Sequence, residues 1–91
     1  MLTIERLHEI ADCCSQKARD VLSGRYGPNY SDVPNSKWAR DLRDAARLLH
    51  HRQLSQLSCS HLEEIQFCGI VDDSEVEEID RERLAGVANV G

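Results

Sequence analysis

Aromatic residues are scarce in this 91-residue chain: one Trp, one Phe and two Tyr. A core with so few rings must draw its volume from Leu, Ile, Val and Ala. A chain of this length also buries only about 60–65% of the surface it exposes when unfolded. One domain spanning residues 1–91 is the expected size. A core this thin is often completed by a second copy of the chain, so a homo-oligomer is expected. No apolar run approaches the ~20 residues of a membrane span. Met1 to Glu9 carry charges where a signal peptide would need an apolar stretch. A cytoplasmic protein with no membrane partner is the expectation.

The motifs of common catalytic sites are also missing. The chain has no G-x-x-x-x-G-K-[ST], no G-x-G-x-x-G and no H-E-x-x-H. Its four cysteines are Cys13, Cys14, Cys59 and Cys68. Cys13 and Cys14 are adjacent within a helical pattern, where neighbouring side chains point apart. That spacing is a poor start for a disulfide framework, so all four are read as thiols. Cys14 falls on an apolar stripe and Cys13 beside it, so Cys14 belongs to the core. His50, His51, Cys59, His61 and Cys68 are zinc-ligand types lying within nineteen residues. Their spacing lacks the paired C-x2-C of structural zinc sites, and neighbouring histidines on a helix do not converge on one ion. No metal, cofactor or catalytic residue is assigned, and an enzyme is not expected.

What the chain does contain is helical periodicity. Ile4, Leu7, Ala11, Cys14, Ala18 and Val21 are spaced 3, 4, 3, 4, 3, one continuous stripe that Ile10 and Leu22 widen. Thr3 is placed to cap this helix over 4–23, and Gly24 to end it. Residues 24–35 hold two Gly, two Pro and two Asn and read as a long loop, with Tyr26 and Tyr30 as anchors onto the helices. A second helix over 36–52 carries the stripe Trp38, Leu42, Ala45 and Leu49, capped by Asn35 or Ser36. Its i,i+4 pairs are Lys37 with Asp41 and Arg40 with Asp44. Leu54 and Leu57 fall out of phase, which places a break at 52–58. Ser60 and Glu63 have capping-box spacing for a third helix over 60–68, ended by Gly69. Ser74 and Glu77 repeat the spacing for a fourth, with Val76 and Ile79 facing inward and 85–91 as a frayed tail. The expected fold is all-α, three or four helices. The first two form an antiparallel pair, and a short acidic helix ends the chain.

Charge is unevenly divided. Residues 1–62 carry nine Lys/Arg against seven Asp/Glu, while residues 63–84 carry two against nine, within a net charge of −5. Lys37, Arg40, Arg43 and Arg47 line one flank of the second helix at 3, 3, 4 spacing and are placed to follow phosphates. Asp41 and Asp44 sit in the same helix, and the next helix reads Ser60-His-Leu-Glu-Glu-Ile-Gln, which is unsuited to approaching DNA. Asp72, Asp73, Glu75, Glu77 and Glu78 are the candidate contacts for a partner protein with a basic surface. The basic flank and the acidic stretch are equally well placed to face each other within the chain.

Leu2-Thr-Ile-Glu-Arg-Leu-His-Glu-Ile-Ala11 and Trp38-Ala-Arg-Asp-Leu-Arg-Asp-Ala-Ala-Arg-Leu-Leu49 resemble segments of small helical accessory proteins of tailed phages. That resemblance implies a protein without enzymatic activity that binds a host protein, as anti-CRISPR inhibitors do. The leading expectation is therefore a non-catalytic, protein-binding inhibitor of host machinery. The alternative is a small nucleic-acid-binding regulator using Arg40, Arg43 and Arg47. A structural subunit that binds only itself is a third reading.

Overall fold

The structure is a computed structural model that describes the backbone of residues 2–25 and 35–90, with side chains described for 2–25 and 37–86. Four α-helices follow in order: α1 (Ile4–Leu22), α2 (Asn35–His50), α3 (Cys59–Phe67) and α4 (Asp73–Val90). A 3-10 turn, Leu54–Gln56, separates α2 from α3. No strand occurs among the described residues. The expected all-α fold is the observed one.

α1 forms where the stripe places it. The Thr3 hydroxyl accepts the Arg6 N–H at 3.0 Å, satisfying one of the orphan donors of the first turn. Leu7, Ile10, Ala11, Cys14, Ala18 and Val21 are all buried. Their partners come from α2: Trp38, Ala39, Leu42, Ala45, Ala46, Leu48 and Leu49 are buried too. The His8 ring at the start of α1 lies 5.1 Å from the His50 ring at the end of α2, so the pair is antiparallel as expected. The stripe of α1 is thus covered within the chain, and Ile4 alone of its six expected members stands exposed.

Three helix ends share one closing device. After α1, Gly24 takes φ +80°, its N–H bonds to the Val21 carbonyl, and the Arg25 N–H reaches the Asp20 carbonyl. After α3, Gly69 takes φ +71°, and the Ile70 N–H reaches the Ile65 carbonyl. These are Schellman closures, which place a left-handed residue just past the helix. α2 ends the same way, but the left-handed residue is Arg52 at φ +50°, with the Gln53 N–H on the Leu48 carbonyl at 2.8 Å. A side chain in this region costs about 1–2 kcal/mol. Arg52 is held there by the fold around it: its guanidinium donates to Glu82 of α4 at 2.9 Å.

The break expected at 52–58 is this turn. It drops Leu54 and Leu57 into the core although they are out of phase with α2. The cap of α3 lies two residues before the expected Ser60. Ser58 is the N-cap, its hydroxyl accepting the His61 N–H while His61 Nδ1 accepts the Ser58 N–H, each at 3.2 Å. A His at the third helical position thus replaces the Glu of the usual box. Leu62 and Ile65 of α3 face inward as expected.

α4 also starts earlier than expected, and it is not short. Asp72 caps it and the helix runs eighteen residues, to Val90. Ile79 is fully buried and Val76 half-buried. The far half of α4 passes close over the 3-10 turn at Gly86, where a Cβ would sit 2.9 Å from Ser55 Cβ. Gly→Ala within a helix ordinarily gains about 1 kcal/mol. Here Gly86→Ala should instead lose about 1 kcal/mol to overpacking. Adding Ser55→Gly should restore stability beyond the sum of the single changes, a coupling read from urea midpoints.

Candidate functional site

Two charged surfaces compete for the role of binding site, and the fold treats them differently. The acidic one begins at the N-terminus of α4. Asp72 Oδ1 accepts the Glu75 N–H and the Ser74 hydroxyl, each at 2.8 Å. Glu75 Oε1 accepts the Asp72 N–H in return at 3.2 Å, completing a capping box. The bond from the Glu75 N–H, followed by that from Ser74, holds the Asp72 carboxyl below its usual pKa.

Glu75 also reaches across to α1. Its two carboxylate oxygens receive Nε and Nη2 of Arg6, the latter at 2.9 Å. Such a two-pronged contact is the strongest geometry available to this pair. Arg6 further donates to Glu9 and to the Ile70 carbonyl. The Glu75 side chain is only 18% exposed. Hydrogen bonding from Arg6 is the main reason that its carboxyl is held below the usual carboxylate range, and the same contact raises the Arg6 guanidinium. Glu78 accepts the Leu2 N–H at 2.7 Å, and Asp73 accepts Gln66 Nε2 at 2.7 Å. Four of the five acidic candidates therefore hold hydrogen bonds inside the fold. Glu77 is the fifth, and it is exposed.

The basic surface lies on α2. Arg40, Arg43 and Arg47 are all exposed on the side opposite the core stripe. Lys37 is exposed as well but is tied to Asp41 at 3.1 Å, the i,i+4 contact expected from the sequence. Arg40 and Asp44 do not form the companion pair among the described ion pairs. The basic flank and the acidic stretch do not face each other either: the stretch turns to Arg6 of α1, and farther along α4 Glu82 takes Arg52. Arg6, Arg19, Arg25, Arg52 and Arg83 each donate to a side chain of this protein. Arg40, Arg43 and Arg47 make no such contact among the described residues.

A small polar cluster borders the arginine face at the end of α2. His50 Nε2 lies 3.4 Å from Asp12 Oδ1, and His8 Nε2 lies 3.3 Å from the His50 carbonyl. His8 and Asp12 are one turn apart on α1, so this cluster ties the two helices together at the surface. No group of three or more His, Cys, Asp or Glu among the described residues is arranged to hold a metal ion. An open groove beside the 3-10 turn is lined by Arg52, Leu54, Ser55, Glu82, Ala85 and Gly86, and its two charged side chains pair with each other.

The thiols divide as the stripe implies. Cys14 is fully buried, and burial pushes its thiol up to about 12. Cys68 is half-buried and likewise raised by burial, whereas Cys13 and Cys59 are exposed. Since the thiolate is the reactive form, a maleimide reagent should modify Cys13 and Cys59 in the native protein and leave Cys14 untouched until it unfolds. Mass spectrometry of the partly labelled chain reads this directly. Rapid labelling of Cys14 would mean that α1 is rotated from the register described.

Sequence reasoning missed two elements of these surfaces. Arg6 carries no local signal of its role in the sequence, because its partner lies 69 positions away. Glu64 stands in the sequence only as one of two adjacent acids in the third helix. It is half-buried beside α2, and burial first, then Asp41, raises its carboxyl above the usual range.

Comparison with known proteins finds no matching family model, no similar curated protein and no similar solved structure. No helix among the described residues is long and apolar enough to cross a membrane.

Proposed function

We propose that this chain is a non-catalytic protein-binding protein, acting as phage-encoded inhibitors of host machinery do, by occupying a surface of its target. The observation that carries the reading is the arginine face of α2. Three guanidiniums on one helix face stand exposed without a side-chain partner among the described residues; of the other arginines, five have such a partner and Arg81 of α4 stands exposed without one. Arginine is enriched at protein interfaces because its planar donor set gives directional contacts at modest desolvation cost. The compact helical frame behind it supports a rigid docking surface.

Nucleic-acid binding is the second reading, because the same face could follow phosphates. The net charge of −5 weighs against a polyanion such as DNA more than against a protein surface with a few carboxylates, because long-range repulsion grows with the partner's charge. The immobilised chain, incubated with nuclease-treated extract of a bacterial host, should retain one specific protein and no nucleic acid. Retention of nucleic acid from untreated extract, with no protein left after nuclease digestion, would replace this reading by the second.

A further inference from the structure

Resting on the protein-binding reading, we infer that Arg40, Arg43 and Arg47 dock onto an acidic helix of the partner. α2 presents these three residues at spacings of three and four, so they recur on one face over about 10 Å of helix. A facing helix with carboxylates at the same spacings presents them in the same rhythm, as oppositely charged flanks do when helices pair. Each guanidinium carries five N–H donors in a fork that matches a carboxylate.

The edges of the face favour a partner with few charges. Asp44 is half-buried within α2, Asp41 is held by Lys37, and Asp12 is held by His50. These carboxylates tolerate a small set of facing acids better than duplex DNA, which carries one charge per ~1.7 Å of axis. The acidic stretch of α4 is less suited to docking. Recruiting Glu75 would break its contact with Arg6, and recruiting Asp72 would uncap the helix.

The probe is a helical peptide of about twenty residues with Glu at positions i, i+3 and i+7 on one face; its Gln counterpart is the control. Exposed ion pairs are individually weak, so the readout is an amide and guanidinium NMR titration of the full chain at millimolar peptide. The Glu peptide should shift the Nε–H signals of Arg40, Arg43 and Arg47 together with neighbouring α2 amides, and the Gln peptide should not. Replacing all three arginines by Gln should remove the shifts and weaken binding at least about tenfold, while replacing them by Lys should give an intermediate loss. These side chains are exposed and make no side-chain contact among the described residues, so the variants keep the fold, which the unchanged remainder of the spectrum verifies. Glu77→Gln should leave the titration unaltered.

Three results would overturn the inference: shifts centred on residues 72–78, stronger binding of a duplex oligonucleotide at the same concentration, or light scattering showing a dimer that replacement of the three arginines by Gln dissociates. In the first case the capture of a protein from nuclease-treated extract would stand, so failure of this inference is distinct from failure of the protein-binding reading.

Discussion

Leu49→Ala should destabilise the protein by about 2–5 kcal/mol. Leu49 is fully buried, on the stripe of α2 that packs against α1. Truncating it removes the transfer free energy of its methyl groups and leaves a cavity that rigid neighbours fill only in part. A domain of this size has about 5–14 kcal/mol of stability in total, so the change removes a large share. Urea unfolding should show a lower midpoint with an unchanged slope, since the surface exposed on unfolding is nearly the same. Leu84→Ala is the control. Leu84 is 53% exposed, and its truncation should shift stability by no more than about 0.5 kcal/mol. Equal effects at the two positions would mean that α2 does not pack as described.

Glu75→Gln is expected to have the second-largest effect, about 1–2 kcal/mol at neutral pH. Hydrogen bonds to charged groups contribute about 1.5–3 kcal/mol each where buried, and the 35% exposure of the Arg6 side chain reduces that through solvent screening. The effect is tied to pH with a definite sign. The folded Glu75 carboxyl is held below its ordinary value of 4.5, so the folded state binds its proton less readily than the unfolded state does. Its stabilisation is complete above about pH 5 and is lost as pH falls through the lowered folded value. Asp72 acts in the same direction, and Glu64, raised by burial, acts in the opposite one. The difference in stability between the parent and Glu75→Gln isolates the Glu75 contribution. It should shrink toward zero below pH 4, and a difference independent of pH would mean that the Arg6 contact is absent in solution.

Much of the fold was legible in the chain because its strongest signals are local. The spacing from Leu7 to Val21 marks the buried side of α1, and Gly24 and Gly69 mark the ends of α1 and α3. The misplaced boundaries have local causes of another kind. Spacing with Glu63 pointed to Ser60 as the cap of α3, and the use of Ser58 instead depends on His61 acting as the reciprocal acceptor, a role usually filled by Glu or Gln. At α4, Asp72 with Glu75 and Ser74 with Glu77 have the same spacing. The tie is broken by Arg6, which fixes Glu75 from the other end of the chain. The length of α4 was hidden for the same reason, since its far half is positioned by the 3-10 turn that Gly86 passes. Tyr26 and Tyr30, expected as loop anchors, lie outside the described residues, and α2 begins at Asn35 itself, so neither Asn35 nor Ser36 stands before it as the expected cap.

The candidate sites were legible as sequence but not as surfaces. Composition showed an acidic stretch and a basic flank, and both were correctly placed on helices. Which charges have internal partners is a tertiary property. Arg6 and Leu2 take up Glu75 and Glu78, whereas Arg40, Arg43 and Arg47 of α2 form no ion pair among the described residues. That asymmetry is the ground on which the α2 face and an acidic partner are proposed here, beside the acidic stretch and basic partner that composition suggests.

Capture of the target by two charge-reversed proteins, compared side by side, tests this most directly. Arg43→Glu with Arg47→Glu reverses the α2 face, and Asp73→Lys with Glu77→Lys reverses the exposed edge of α4 without touching the Arg6 contact. The account predicts that the first protein loses the partner retained by the parent chain and that the second keeps it. Loss with the α4 reversal and retention with the α2 reversal would contradict it and return the binding site to the acidic stretch.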